Sequence, residues 1–511
     1  MAASPEFDYI IVGGGTSGSL LAGRLSRKFK VLLLEAGEFK EEETITKTHH
    51  KIFLSDLPYH NIYYWSLGEP NSHDNREAKL LVPKLLGGGS MVSQGNYSYP
   101  SALFYDRWAH YVKDDSWSAK KAYPLLASLE NFKGVPGKYD TFHHGMGGKL
   151  TTFQHSSCPK LSNMLIEAAA YSIDQPLSEI DYNNPSGVVG YSIYGHHLAT
   201  NPRSSARDFL NLKNDNLTVC CKAIVTKVTV KEKDRGKIEA TGVTFLDGSK
   251  CKHAVAKKVI LCGGMLSPVI LQRSGIGNSS ILTNASVKVK LENDHVGKGI
   301  HSHPIIPMCG YNDAGLPRIK DDVRSYAGVI LLARDNKPDE RAFRITCSPL
   351  PLVKGQRVKF VVLSCTLLNT VSQGYCYITD KSIISPPQYN FNYLEEKEDL
   401  ELAIEGYRKL FNLATSMGIT PFFQGQPAPN EEDLDLVKEY IVGNRIQSYE
   451  WTGGCKMGTS IKDGVVNRNC RVFGTTNLYV CDASIIPDNP DGGTLSASLH
   501  VAEVLARKLL A

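Results

Sequence analysis

Three glycines in the spacing G-x-G-x-x-G, Gly13, Gly15 and Gly18, followed by an acid at Glu35, are the residues of this chain best suited to hold a dinucleotide. In this pattern Gly13 permits a tight turn, Gly15 lets backbone approach a pyrophosphate, and Gly18 lets a helix pack closely on a strand. Thr16 and Ser17 fall where the helix begins, and its exposed amides meet phosphate oxygens there. Glu35 lies 17 residues beyond Gly18, with Ala36 next to it. A carboxylate at that point accepts hydrogen bonds from an adenosine ribose and repels a 2′-phosphate. The motif by itself does not separate FAD from NAD.

The elements needed to position these residues are legible around them. Phe7 to Val12 (FDYIIV) is an apolar run suited to a buried parallel strand. Leu20, Leu21 and Leu25 recur at helical spacing within 19–29, and Lys30 to Glu35 is a second apolar strand. Together they make a βαβ unit. Lys257 to Cys262 reads as a further buried strand closed by Gly263 and Gly264, with a helix over 267–274. Strands dominate from Pro304 to Tyr393, including Tyr326 to Leu332, Val358 to Ser364 and Gly374 to Ile378. An amphipathic helix covers Leu400 to Met417, a short strand Leu478 to Val480, and a closing helix Thr494 to Leu510. This order predicts an α/β protein in which a strand-rich unit is inserted into a discontinuous nucleotide-binding domain.

Composition narrows the function classes. A chain of 511 residues with 42% hydrophobic and 21% charged residues has the make-up of an ordinary globular protein, long enough for two cores. A net charge of +5 gives no reason to expect nucleic acid or an anionic membrane as partner; a small-molecule substrate is the expectation, and the oligomeric state is left open. No stretch approaches the roughly 20 apolar residues of a membrane span. Only Met1 to Phe7 precede the first strand, so no signal peptide is expected, and the compartment stays open between cytoplasm and secretion after removal of a leader. The twelve cysteines form no CxxC pair and no Cys/His cluster at metal-ligand spacing, so no metal site is expected and the cysteines read as buried free thiols.

Longer segments carry a family resemblance. Leu86-Gly87-Gly88-Gly89-Ser90-Met91-Val92-Ser93, Asp106-Arg107-Trp108, Arg203 to Leu210, Gly263 to Pro268 with Ser274 to Gly277, Val296 to Gly299 with His303-Pro304, and Asp482-Ala483-Ser484 occur in order along nearly the whole chain. In these segments the chain resembles the glucose-methanol-choline (GMC) oxidoreductases, nearest in character to the branch containing plant hydroxynitrile lyases. The resemblance implies a GMC fold: a Rossmann-like FAD-binding domain with an inserted α+β substrate domain built on an antiparallel sheet. The implied division is 1–100, 196–303 and 455–511 for FAD, and 101–195 and 304–454 for substrate. It further implies that Gly88, Gly89, Ser90 and Ser93 pass beneath the flavin, that Val225 lies near the adenine, and that Gly263 belongs to the second signature. Asp482 and Ala483 would approach the ribityl–pyrophosphate region, and Thr494 and Leu495 the flavin pyrimidine edge. With no histidine in 87–93, the FAD is expected to be noncovalent.

At the catalytic positions the chain departs from the family. The family's histidine lies five residues before the cysteine of the segment that ends here in Gly453-Gly454-Cys455, and Glu450 stands there. Its second catalytic side chain, six residues after a proline, corresponds to Gly493. Three outcomes follow. Glu450 could be the base in alcohol oxidation, its pKa raised toward neutrality by burial beside the flavin and Trp451, with Gly493 leaving room for substrate or water. The chemistry could instead be non-redox, as in a lyase, an isomerase or a photodecarboxylase-like enzyme, or the chain could hold flavin with little catalysis. His500, seven residues beyond Gly493, reads as helix packing, and His301 and His303 as structural. A mostly apolar cavity would suit a small aromatic or aliphatic alcohol.

Overall fold

The computed structural model describes residues 6–39, 62–67, 78–93, 95–134, 144–155, 159–173, 183, 190–192, 195–198, 204–311, 318, 328–350, 355 and 357–511. Arg203 and Tyr326, singled out in the sequence, lie outside them. Phe7–Val12 is central in a parallel sheet, paired with Val31–Leu34 on one side and with the end of Lys250–Leu261 on the other. Leu217–Cys220 extends this sheet beyond Val31–Leu34, and Leu478–Val480 pairs with Lys250–Leu261. Both faces of these strands are covered, which explains why they read as unbroken apolar runs rather than alternating ones.

The Lys250–Leu261 strand does two jobs. Its first half closes an antiparallel meander with Ala223–Glu232 and Ile238–Asp247, and its second half enters the parallel sheet. The helices Thr16–Leu25 and Thr494–Leu510 pack together, with Ser17 Oγ donating to the Ser498 carbonyl at 2.9 Å and Arg24 paired to Glu503 at 2.8 Å. The two ends of the chain therefore meet at the first glycine turn.

The second layer is a mainly antiparallel sheet of ten strands among the described residues. Lys298–Tyr311 pairs with Phe360–Leu367, which pairs with Lys337–Leu350, and that with Gly328–Arg334. Strand alternation sorts the residues of the middle strands by face. Phe343, Ile345, Cys347, Leu363, Cys365 and Leu367 enter one core with Leu402, Tyr407 and Leu410 of the helix Lys397–Ser416. Gly406 of that helix sits so close that a Cβ would lie 3.0 Å from Cys365 Sγ. The intervening residues, Arg344, Thr346, Ser348, Ser364 and Thr366, occupy the opposite face, where Arg344 stands across from Thr366 and Thr346 Oγ1 lies 2.6 Å from Ser364 Oγ. That face is mixed: these polar groups lie beside Leu331 and Val329, which pair with Arg344 and Thr346 and form a small apolar cluster with Leu368.

Two features bear on the expected domain division. The boundary between 303 and 304 falls inside the single strand Lys298–Tyr311. The helices Ala102–Val112 and Ala119–Leu129 and the turn Asp115–Trp117 between them, assigned to the substrate domain, bury Phe104, Trp108, Trp117 and Leu126 in the core of the nucleotide-binding sheet. The reason is visible at His500, whose ring sits edge-on to Tyr105, Trp108 and Trp117, while the two tryptophans stack at 4.6 Å. Burial pushes its pKa down to about 3, so His500 is a neutral packing residue, as expected.

All eleven cysteines among the described residues are free thiols, seven of them buried. No helix among those residues is long and apolar enough to cross a membrane, and no group of side chains there could hold a metal ion.

Candidate functional site

The first glycine turn is built by close backbone approach. Gly13 has φ +102°, and a Cβ on Gly18 would run into the Gly13 carbonyl, so the strand and helix touch as the motif requires. The second glycine segment lies on top. Gly87 N–H donates to Gly14 O at 2.7 Å, and a Cβ on Gly88 would lie 2.7 Å from Gly15 Cα. Ser90 Oγ donates to Gly87 O at 2.6 Å and accepts from Ala206 N–H at 3.0 Å, locking the segment against the 206–209 turn. Ser93 N–H donates to Gly89 O at 2.8 Å.

Around these contacts a slot stays open. Gly13, Gly15, Thr16, Ala36, Gly263, Ala483, Thr494 and Leu495 are only half-buried amid buried neighbours, and Gly89 is exposed. A Cβ on Gly89 or Gly264 would meet nothing within 4 Å. Two helices begin at this slot, Thr16–Leu25 after Gly15 and Thr494–Leu510 after Gly493. Neither has a side-chain cap or an acid in its first turn. Their first amides and the positive ends of their dipoles are thus available to an anionic or carbonyl-bearing ligand.

Glu35 is buried, with one oxygen accepting from Gly14 N–H at 2.7 Å and the other from Gly37 N–H at 2.8 Å. Burial raises its pKa to about 7 despite these donors, because they do not replace full hydration. Ribose hydroxyls would supply what is missing. The strand carrying Val225 leaves from beside this acid, with Ala223 N–H donating to Glu35 O at 2.9 Å. We expect Glu35→Ala to weaken FAD binding by roughly 10- to 100-fold, the worth of charge-assisted hydrogen bonds at this site. Titration of apoprotein with FAD by quenching of flavin fluorescence measures it.

Asp482 is placed as a clamp. Oδ2 accepts from Gly264 N–H at 2.8 Å and Ser267 Oγ at 2.6 Å, and Oδ1 accepts from Ser484 N–H at 2.9 Å. It therefore fastens the 264–267 turn to the 483–485 turn, leaving Ala483 on the open side of the slot.

Glu450 lies where these turns meet the second sheet. Its strand, Ile446–Thr452, runs antiparallel to Lys298–Tyr311 with a bulge: Ser302 faces Trp451 and Pro304 faces Gln447, so Ser448, Tyr449 and Glu450 oppose His303 alone. Ser448 Oγ satisfies two amides in the bulge, those of His303 and Glu450, each at 3.3 Å. The chain then binds the cofactor side, with Cys455 N–H on Ser484 O at 2.9 Å and Met457 N–H on Ile485 O at 2.8 Å.

The carboxylate of Glu450 reaches back across the sheet to Arg344, with Nη2–Oε2 at 2.7 Å and Nη1–Oε1 at 3.4 Å. Burial pushes the Glu450 pKa up, but the Arg344 guanidinium, with His303 nearby, outweighs it and holds the group below the usual glutamate range. This corrects the expected rise toward neutrality. The sequence signal for Arg344 was present in the alternation Phe343-Arg344-Ile345-Thr346-Cys347-Ser348, which puts the arginine with Thr346 and Ser348 on the face opposite Phe343 and Ile345.

Trp451 is also corrected. It lies on the opposite side of the strand from Glu450, buried in the sheet core and stacked on Phe391 at 6.1 Å, with Tyr449 edge-on to it. It supports the strand rather than desolvating the carboxylate. Gly493 does not leave room for substrate either. Its N–H donates to Ser98 O at 3.1 Å, and a Cβ would stand 2.8 Å from that oxygen. Gly493→Asn, which puts a side chain of the family's type back at this position, is expected to lower stability by about 1–3 kcal/mol through overpacking and to bring no gain in turnover; denaturant unfolding and steady-state rates check both.

His303 is fully buried, its Nδ1 2.9 Å from the Leu367 carbonyl and 3.2 Å from Asn489 Nδ2. Burial brings its pKa down to about 4 and likewise that of His301, so both are neutral near pH 7.

The two stacked glycine loops, the uncapped helix starts and the buried acid at Glu35 fit FAD, with Glu35 toward the ribose and the 13–18 turn toward the pyrophosphate. The comparisons agree. Family models described as GMC oxidoreductase match residues 7–305 and 370–502. The chain is 26% identical to an oxygen-dependent choline dehydrogenase of Staphylococcus xylosus, covering 98% of this chain and 94% of that one. It is 27% identical to a pyranose dehydrogenase of Agaricus campestris, covering 98% and 92%. In fold it is similar to pyridoxine 4-oxidase from Mesorbium loti, with a TM-score of 0.85 at 22% identity over 98% of each chain.

Proposed function

The chain belongs to the GMC oxidoreductase family and binds FAD, and from that premise we propose that it oxidises the CH–OH group of a small organic alcohol with Glu450 as proton acceptor. The observation that carries this reading is a carboxylate kept ionised by Arg344 at the joint between the cofactor turns and the substrate sheet. Bound FAD, held without a covalent link, supplies the acceptor for the hydride that leaves the carbinol carbon.

The protein's own contribution is placement and proton handling. Arg344 fixes the Glu450 carboxylate and keeps it charged, so it is ready to take a hydroxyl proton at neutral pH. His303, its own pKa held down by burial, stands near the carboxylate and adds to the depression of its pKa.

Anaerobic addition of candidate alcohols, followed by the yellow flavin absorbance, tests the proposal. Bleaching by a small alcohol supports it. Cleavage of cyanohydrins or rearrangement of substrate with the flavin still oxidised would replace it with non-redox lyase or isomerase chemistry on the same scaffold.

A further inference from the structure

One corner of the second sheet is neither sealed nor balanced in charge. Lys298–Tyr311 ends there beside Thr420–Phe423, and Phe360–Leu367 begins there, with Phe360 across from Leu350. Phe422 joins the strands: its ring lies 5.9 Å from that of Tyr311 and 5.9 Å from that of Phe360. Tyr311 and Phe360 are nonetheless 39% and 44% exposed. Single exposed apolar residues are ordinary, but rings in contact with one another form a patch.

The cations beside these rings have no counter-charge. Arg357 and Lys359 lead into Phe360 along the chain, and Arg318 pairs with Arg357 in an antiparallel bridge. All three are exposed. Arg318 Nη1 donates to the Gly355 carbonyl at 2.8 Å, which fastens it to the turn before Arg357. None of the three has an acidic partner among the described residues. Like charges directly opposite one another across a strand pair repel, and a bound anion relieves that repulsion.

We propose that this corner is a membrane-docking site, in which the rings of Tyr311 and Phe360 enter the headgroup region of an anionic bilayer while Arg318, Arg357 and Lys359 take its phosphates. This goes beyond the proposed alcohol oxidation and does not depend on it. A net charge of +5 over the whole chain did not point to a membrane, but docking depends on where unpaired charge and apolar surface coincide. Other occupants fit less well. Two copies meeting at this corner would bring the same cations face to face. Two exposed rings also fall far short of the ~1,200 Å² that a stable protein interface buries. A bilayer needs no such matching area, and each cation near its surface contributes roughly fivefold in partition.

The test is flotation of the FAD-loaded protein with large unilamellar vesicles of phosphatidylcholine, alone or with about 30% phosphatidylserine. At about 0.1 M salt the mixed vesicles should bind at least about tenfold more tightly, and about 0.5 M salt should remove most of that difference by screening. Arg357→Gln with Lys359→Gln should weaken binding to the mixed vesicles by roughly 25-fold, fivefold for each cation. Tyr311→Ser with Phe360→Ser should weaken it by roughly tenfold or more through lost burial of the rings. Tyr311 lies eight residues beyond His303 on its strand, roughly 26 Å away, so flavin content should not change in these variants. Lys288→Gln with Lys290→Gln removes two exposed lysines elsewhere, beside Gly275, and should leave binding as it is. In Phe360→Trp the new indole should be quenched by bromines placed high on the lipid acyl chains.

Equal or absent binding to the two kinds of vesicle would overturn the proposal. A loss in Lys288→Gln with Lys290→Gln as large as that in the Arg357 and Lys359 pair would also overturn it, because the attraction would then be to net charge alone. Self-association abolished by Tyr311→Ser with Phe360→Ser, in protein that ignores vesicles, would replace the bilayer with a second copy of the chain.

Discussion

Glu450→Gln is expected to lower kcat/KM by roughly 10²- to 10⁴-fold, the usual contribution of a positioned general base, while leaving FAD content unchanged. The amide keeps the size of the side chain and can still accept from Arg344 Nη2, so the bulge at Ser448–Glu450 has no reason to refold. What it cannot do is take a proton. A normal flavin spectrum, near-wild-type unfolding and a collapsed rate of anaerobic flavin reduction would together place the loss in chemistry. Unchanged reduction would remove Glu450 from the mechanism.

The second large effect is expected from Arg344→Met, and it differs in kind. Removing the guanidinium leaves the Glu450 carboxylate half-buried without its partner, which is costlier than never having had the pair. Complete burial would make that cost several kcal/mol; with Glu450 26% exposed, a loss of up to about 3 kcal/mol is expected in urea unfolding at pH 7. The pH profile carries the sharper sign. In the wild-type protein the Glu450 pKa is depressed, so the stability it contributes is fully present above the ordinary glutamate value of 4.5 and is lost as pH falls through the lower folded value. The acid limb of kcat/KM should lie correspondingly low. Without Arg344 only burial and the weaker influence of His303 remain, burial dominates, and the limb should move up the pH scale. A limb that stays in place would show that Arg344 does not set the charge of Glu450.

These two variants separate what a glutamate at this position does from what holds it there. An imidazole has an ordinary pKa near working pH and needs little correction to serve as a base. A carboxylate half-buried beside a sheet needs a cation to stay charged, and the protein supplies one from a strand 106 residues away in sequence. Neither Gly493 nor Trp451 takes part in this solution: the first is closed off by Ser98, and the second faces the sheet core.

The amino-acid sequence by itself determined the parts whose physics is local. Gly13, Gly15, Gly18 and Glu35 specify a turn, a helix start and an acid within 23 residues, and the unbroken apolar runs at 7–12 and 31–34 could only be strands covered on both faces. The ordered family segments carried the reading on to the expected flavin site and to position 450. Tertiary structure alone decided the electrostatics and the space. Whether Glu450 is raised by burial or depressed by a cation depends on which residue of a distant strand turns to the same face. Whether Gly493 opens a cavity depends on where residues 98–99 cross it. The packing of 102–129 was decided in the same way, since helices are amphipathic against whichever core is nearest. Periodicity identifies a buried face, but only folding selects what it is buried against.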